Sequence, residues 1–219
     1  MEIKFQSKEE SNREQREAFL RLEPKDRFYR FLDLCESLKN FPVKLANKAP
    51  SDNFIIEIKT HDKIWKENID AFLREASKEG VKMLLVGGGA VNFHGYQRHS
   101  TDVVFWIDTS EENFSKLLQV FRRMGYKIDS FPEKVKNKEQ NISVKFSPAD
   151  LNLELITNFQ IGKSFDEAFS ESGKVEIKDH GVSKWNVLNL NDLIESKRRA
   201  ARPKDLLNIL ELKSIHKLE

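Results

Sequence analysis

Apolar residues along this chain recur with two different spacings, and the change from one to the other marks its elements. Val81 to Val86 is a short apolar run with a β-branched residue at each end, which predicts a buried strand. Thr101 to Ile107, β-branched and aromatic, predicts a second. Between them Gly87, Gly88 and Gly89 break the first strand and let the backbone come close to a neighbour. Ala90 to Tyr96 is then long enough for about two helical turns. Upstream, Ile64, Trp65, Ile69, Phe72, Leu73 and Ala76 fall on one side of a helix from Asp62 to Glu79, which Gly80 ends. Downstream, Thr109 or Ser110 caps a helix whose core face is Phe114, Leu117, Leu118 and Phe121, with Gly125 as its stop.

The second half continues in shorter pieces. Tyr126 to Phe131 alternates weakly, as an edge strand does, and Glu133 to Asn141 reads as a lysine-rich solvated loop. Strands are predicted over Ile142 to Phe146 and Leu151 to Ile156, joined by a turn at Pro148-Ala149-Asp150. A short helix over Phe165 to Phe169 precedes strands at Lys174 to Lys178 and Val182 to Leu188, with His180 in the turn between them. A helix capped by Asn191 or Asp192 breaks at Arg202-Pro203, and Pro203 suits the first turn of the last helix.

The start of the chain stands apart. Lys8 to Leu22 is highly charged, and Pro24 opens a helix with Phe28, Phe31, Leu32, Leu34, Cys35 and Leu38 as a stripe. Asn40 to Asn53 reads as a loop, while Phe54 to Ile58 fits either a strand or a helix. The expected division is a helical extension over 1–60 and one larger domain over 61–219. Packing on its own domain is the simplest role for the extension; assembly or a protein partner is the alternative.

Composition narrows the field. Lysine and arginine total 37 against 35 acidic residues, so bulk charge gives no argument for nucleic-acid binding. One cysteine, Cys35, excludes an internal disulfide framework and suits a reducing, cytoplasmic setting, where it reads as a small buried hydrophobe. No apolar run approaches a membrane span, and no Cys/His spacing suggests zinc.

The chemistry sits where the elements join. A Gly-Gly turn feeding a helix presents backbone N–H groups that suit a phosphate, and Asp102 opens the next strand, where it can hold a cation beside that phosphate. The plain alternative is a tight turn with a strand-end Asp. Glu154 is bracketed by apolar residues, an odd place for an unpaired charge; an exposed edge-strand Glu facing a lysine is the competing reading. His94 and His99 flank the loop, with packing or capping the simpler role.

Val86-Gly87-Gly88, His94-Gly95-Tyr96, Arg98, and Asp102 beside Phe105-Trp106-Ile107 resemble the minimal nucleotidyltransferase signature of the polymerase-β-like superfamily, close to the small bacterial nucleotidyltransferase (AbiEii-like) proteins of abortive-infection and toxin–antitoxin systems. Asn191-Asp192-Leu193-Ile194 with Lys197, and Arg202-Pro203-Lys204-Asp205, resemble the ending of that family. The resemblance covers about Asp62 to the C-terminus. It implies an α+β nucleotidyltransferase fold, a mixed sheet flanked by helices. It also implies attack of a hydroxyl on the α-phosphate of a nucleoside triphosphate, with a tRNA or a protein as acceptor. In that frame Asp102 and Glu154 are the catalytic, metal-binding acids for Mg2+ or Mn2+. Gly87, Gly88, Arg98, Ser100, Lys197, Arg202 and Lys204 contact the nucleotide. One departure matters. The family's second acid falls where this chain has Val104, which offers no oxygen to a hard cation. Asp108, roughly 20 Å from Asp102 along a strand, is too far to replace it. Two expectations follow: a transferase with a weakened metal site, or an inactive nucleotide-binding or protein-interaction module on the same fold.

Overall fold

A computed structural model describes residues 6–38, 52–59, 65–147, 152–177 and 183–218. Its centre is a seven-stranded mixed sheet. The strands are β1 (Phe54–Lys59), β2 (Met83–Val86), β3 (Asp102–Ile107), β4 (Ile142–Ser147), β5 (Asn152–Ile156), β6 (Gly173–Ile177) and β7 (Ser183–Val187), in the order β1-β4-β5-β3-β2-β7-β6. β1 runs parallel to β4, β5 to β3 and β2 to β7; the other neighbours are antiparallel.

Alternation along the strands gives the sheet two unlike faces. Val103, Phe105, Ile107, Leu153, Leu155, Ile142, Val144 and Phe146 point to one side and are fully or almost fully buried. Helices α2 (Pro24–Leu38), α3 (Trp65–Glu79) and α5 (Glu111–Arg123) cover this side. Trp185 of β7 joins them, its ring 4.8 Å from Phe28 of α2. Cys35, 2 % exposed, belongs to the same core, and burial pushes its thiol up to about 11. The other side carries Asp102, Val104 and Trp106 on β3 beside Asn152, Glu154 and Ile156 on β5. Over this mixed row lie α7 (Phe165–Ser170), α8 (Leu190–Ala200) and the loop of residues 157–164. No described helix is long and apolar enough to cross a membrane.

Four local expectations change in the structure, and one left open is decided. The helix after the glycines, α4 (Gly87–Phe93), begins on them rather than after them, because Gly87 takes a φ of +63° that brings the chain straight from β2 into the helix. Tyr126 to Phe131 is not a strand. Its apolar content serves the core through Phe131, which packs against Phe54, Phe114 and Phe121 instead of pairing in a ladder. Part of the lysine-rich loop is a short helix, α6 (Glu133–Lys136), held by buried Val135. The N-cap of α8 is Asn189, whose side chain accepts from the Asp192 amide, so Asn191 and Asp192 lie inside the helix. Phe54–Lys59 is a strand, and it completes one edge of the sheet.

The first helix, α1 (Lys8–Arg21), is mostly exposed and starts with a capping box between Ser7 and Glu10. It is tied down near its end. Arg27 of α2 donates from Nη2 to the Leu20 carbonyl and from Nη1 to the Phe93 carbonyl at the end of α4. The last helix is α9 (Pro203–His216), and His216 Nε2 lies 2.7 Å from the His94 carbonyl, which joins both ends of the chain to α4. His94 itself is half-buried against the Leu188 carbonyl, and desolvation there lowers its pKa below the usual histidine value.

Candidate functional site

The glycine corner is built for close approach. A Cβ on Gly87 would meet Val104 Cγ2 at 3.3 Å, and one on Gly88 would meet Ser100 Cβ at 3.0 Å. The start of α4 therefore lies directly on β3 and the loop before it. Asn92, fully buried in α4, fixes that loop. Its Nδ2 donates to the Gly88 and Arg98 carbonyls, and its Oδ1 accepts from the Arg98 amide. Arg98 donates from Nε and Nη2 to the His99 carbonyl, and Ser100 Oγ lies 3.5 Å from the Asp102 amide.

Asp102 and Glu154 lie on the same face of the sheet but do not converge. Val104 pairs with Glu154 and Asp102 with Asn152, which puts the two acids about 8 Å apart by strand spacing. Both oxygens of Glu154 accept from Ser143 Oγ, at 2.8 and 2.7 Å, and Oε2 accepts from Asn53 Nδ2 at 3.1 Å. Ser143 is on β4, the neighbour of β5 on the side away from β3, so the carboxylate leans away from Asp102. Asp102 in turn accepts from Thr101 Oγ1 at 2.9 Å and sits 3.4 Å from Asn152 Nδ2. Between the acids stands the aliphatic side chain of Val104. A divalent cation of the magnesium type requires several oxygens in a tight shell. Among the described residues no group of three His, Cys, Asp or Glu side chains could hold one. The donor set here does not fit a two-metal centre.

Cations gather at the corner between α8 and α9. Asp205 is fully buried; Arg202 Nε lies 2.5 Å from its Oδ2, and Lys197 Nζ 3.3 Å from its Oδ1. Lys197 is only 6 % exposed. Burial lowers its pKa although Asp205 pulls the other way, and the charges of Arg98 and Arg202 lower it further. Burial likewise lowers Lys204, with Arg202 and Arg98 adding to the effect. For Asp205 burial acts upward, but the hydrogen bond from Arg202 and the charge of Lys197 outweigh it, and the carboxyl ends below its ordinary value. Asp205 thus acts as a counter-charge to Arg98, Lys197 and Lys204, and the charge of Arg202 lowers the pKa of all three, the mark of a locally positive potential.

The corner opens on a cavity of about 290 Å³. Val86, Gly87 and Val104 form one wall, Glu154, Asn141 and Phe159 another, and Ser196, Lys197 and Arg202 a third. No protein-family model matches the chain, and no curated protein does either.

Of the residues singled out in the sequence, Gly87, Glu154, Lys197 and Arg202 meet at the cavity. Gly88, Arg98 and Ser100 sit on the adjoining loop, Lys204 is exposed beside Arg202, and Asp102 lies one strand step beyond the cavity wall. Asp150 and His180 lie outside the described residues. Three residues that shape the site had not been singled out: Asn92, Ser143 and Asn53. An Asn inside the apolar run after the glycines was the available signal for the first. Ser143 and Asn53 become visible only through the pairing of β4 with β5 and the return of residue 53 to that edge.

Proposed function

We propose that this chain is a nucleotidyltransferase-like binding protein that holds the polyphosphate of a nucleotide and does not transfer its nucleotidyl group. One observation carries the reading. Val104 and Glu154 are register partners lining a cavity that Lys197 and Arg202 also line. The cationic side suits phosphate oxygens, with Arg202 reaching it from a half-exposed position and Lys197 from a buried one. The acidic side lacks the second oxygen donor that transfer chemistry in the resembled family uses. Arg98 and Lys204 extend the positive field toward the loop before β3. Phosphate charge is then neutralised by side chains, and binding persists without divalent cations.

The order helix, strand, glycine corner, helix, strand, helix, followed by an acid on β5, supports the nucleotidyltransferase-like part of the reading. A second reading, residual transfer to a tRNA or protein hydroxyl, draws on Asp102 and Glu154 sharing one face. Titration calorimetry with each nucleoside triphosphate, in EDTA and in magnesium, separates them when combined with a pyrophosphate-release assay. The expected result is binding that survives EDTA, weakens in Arg202→Ala, and is accompanied by no pyrophosphate. Pyrophosphate release by the unmodified chain, abolished in Asp102→Ala, would overturn the proposal in favour of the second reading.

A further inference from the structure

A second cavity, about 370 Å³, lies farther along the same face, beyond Phe159. Its size falls within the range of small-molecule sites, roughly 300 to 1,000 Å³. Its floor is aromatic. The Trp106 ring lies 5.3 Å from Phe159 and 5.1 Å from Phe165. Trp106 is only 5 % exposed, so it presents an edge, while Phe159 and Phe165 are half-buried and present more of their rings. Thr109, Thr157, Asn158, Gln160 and Ser164 add polar atoms around the rim.

Two cations line this cavity, and their situations differ. Lys163 is occupied, 2.7 Å from Glu171 and 3.0 Å from Asp192. Lys138 is exposed, with a left-handed backbone at φ 64° just past α6, and among the described residues it pairs with no carboxylate. The loop that forms most of the lining is braced from behind. A Cβ on Gly162 would come within 2.7 Å of Arg199 Nη2, so one end of the Arg199 guanidinium of α8 lies close against that glycine. Thr157 is fixed as well, its amide donating to Asn141 Oδ1 and its hydroxyl to the Gln140 carbonyl. A braced loop, an aromatic floor and one uncommitted ammonium group make a preformed site.

We infer that this second cavity binds a planar aromatic ring bearing an anionic group, with the ring against Phe159 and Phe165 and the anion at Lys138. Face or edge contact with the aromatic side chains holds the ring, and Lys138 supplies a charge-assisted hydrogen bond. The site is separate from the polyphosphate cavity and does not depend on the reading of that cavity; the two share Phe159 as a partition.

Tryptophan fluorescence tests this directly. Trp65 and Trp185 are buried at 1 % and 2 %, within the other side of the sheet, so a ligand here acts on Trp106. The full chain is titrated with adenosine monophosphate and, separately, with benzoate, which distinguishes a nucleotide from a simple aromatic acid. Adenosine and inorganic phosphate are the half-ligand controls. At least one of the two anions is expected to shift the emission, and the shift to vanish in Trp106→Phe. Affinity is expected to fall about tenfold in Lys138→Ala, the value of one charge-assisted hydrogen bond, and to fall in Phe159→Leu, while Arg202→Ala leaves it unchanged. Lys138 is exposed, so that variant keeps the fold. The inference is overturned if neither anion changes the emission, if Lys138→Ala and Phe159→Leu bind as the parent does, or if Arg202→Ala alone abolishes the signal.

Discussion

Replacing Asp205 with alanine removes the one carboxylate shared by the cations at the α8–α9 corner. Lys197, its side chain 8 % exposed, then keeps a buried charge without a partner. At 3.3 Å the Lys197–Asp205 attraction is about 5 kcal/mol with an effective dielectric of 20. The cost of desolvating two charges offsets most of that while the pair is intact. Breaking the pair from one side leaves only the cost, about 3 to 5 kcal/mol by analogy with other buried pairs. The penalty has a ceiling, because Lys197, whose pKa burial already lowers, is able to give up its proton. Lys197→Met is milder, about 1 to 3 kcal/mol, because Arg202 still holds Asp205 from the other oxygen. In the double variant Asp205→Ala, Lys197→Met no charge is stranded, and stability recovers part of the loss. Urea unfolding of the four proteins in a double-mutant cycle measures this. The reasoning fails if Asp205→Ala loses less than about 1 kcal/mol, or if the double variant is less stable than Asp205→Ala alone.

The pH dependence of the same corner has a definite sign. Asp205 has a lowered folded-state value, so its contribution is present above the ordinary Asp pKa and is lost as pH falls through the folded value. Lys197 is also lowered, so stability rises with pH between its folded value and the ordinary lysine value; Lys197→Met should flatten that alkaline limb of a stability–pH curve. His94, lowered by burial, favours the neutral ring, so stability should decline as pH falls below about 6.5, and chemical denaturation of His94→Gln should lack that decline. Gly87→Ala combines a positive φ with a Cβ 3.3 Å from Val104 Cγ2 and should cost about 1 to 3 kcal/mol in thermal or urea unfolding. Val104→Asp sets a carboxylate opposite Glu154 and should create divalent-cation binding, read by manganese titration, where the parent shows none. Cys35, pushed up to about 11, should resist thiol reagents near neutral pH in the native protein and react fully in denaturant.

Much of the architecture was legible because each strand around the glycines carries its own punctuation. β2 is a short apolar run and β3 a β-branched and aromatic one, α3 and α5 have clear apolar stripes, and Gly80 and Gly125 mark their ends. Tyr126 to Phe131 misled because a weak alternation is also what an irregular segment shows when one aromatic, Phe131, plugs into a core. Phe54 to Ile58 was ambiguous for the reverse reason, since the β4 strand that makes it a strand lies far along the sequence. The site was legible in part. Glu154 stands out as a charge among apolar neighbours, but the Ser143 and Asn53 side chains that hold it come from distant parts of the sequence. Lys197 could not be oriented from helix periodicity, because its partner Asp205 lies beyond the proline break.

The edge pairing of β1 with β4 has a consequence for synthesis on the ribosome. Phe54 meets Ile142 and Phe28 meets Trp185, so β1 and one face of α2 wait for partners far along the sequence, although Arg27 of α2 already finds the Phe93 carbonyl of α4. Such distant closures are paid for late in chain entropy and slow the search. The β1 edge and the Phe28–Trp185 contact are therefore expected to close last, over a centre in which α2 is already held against α4.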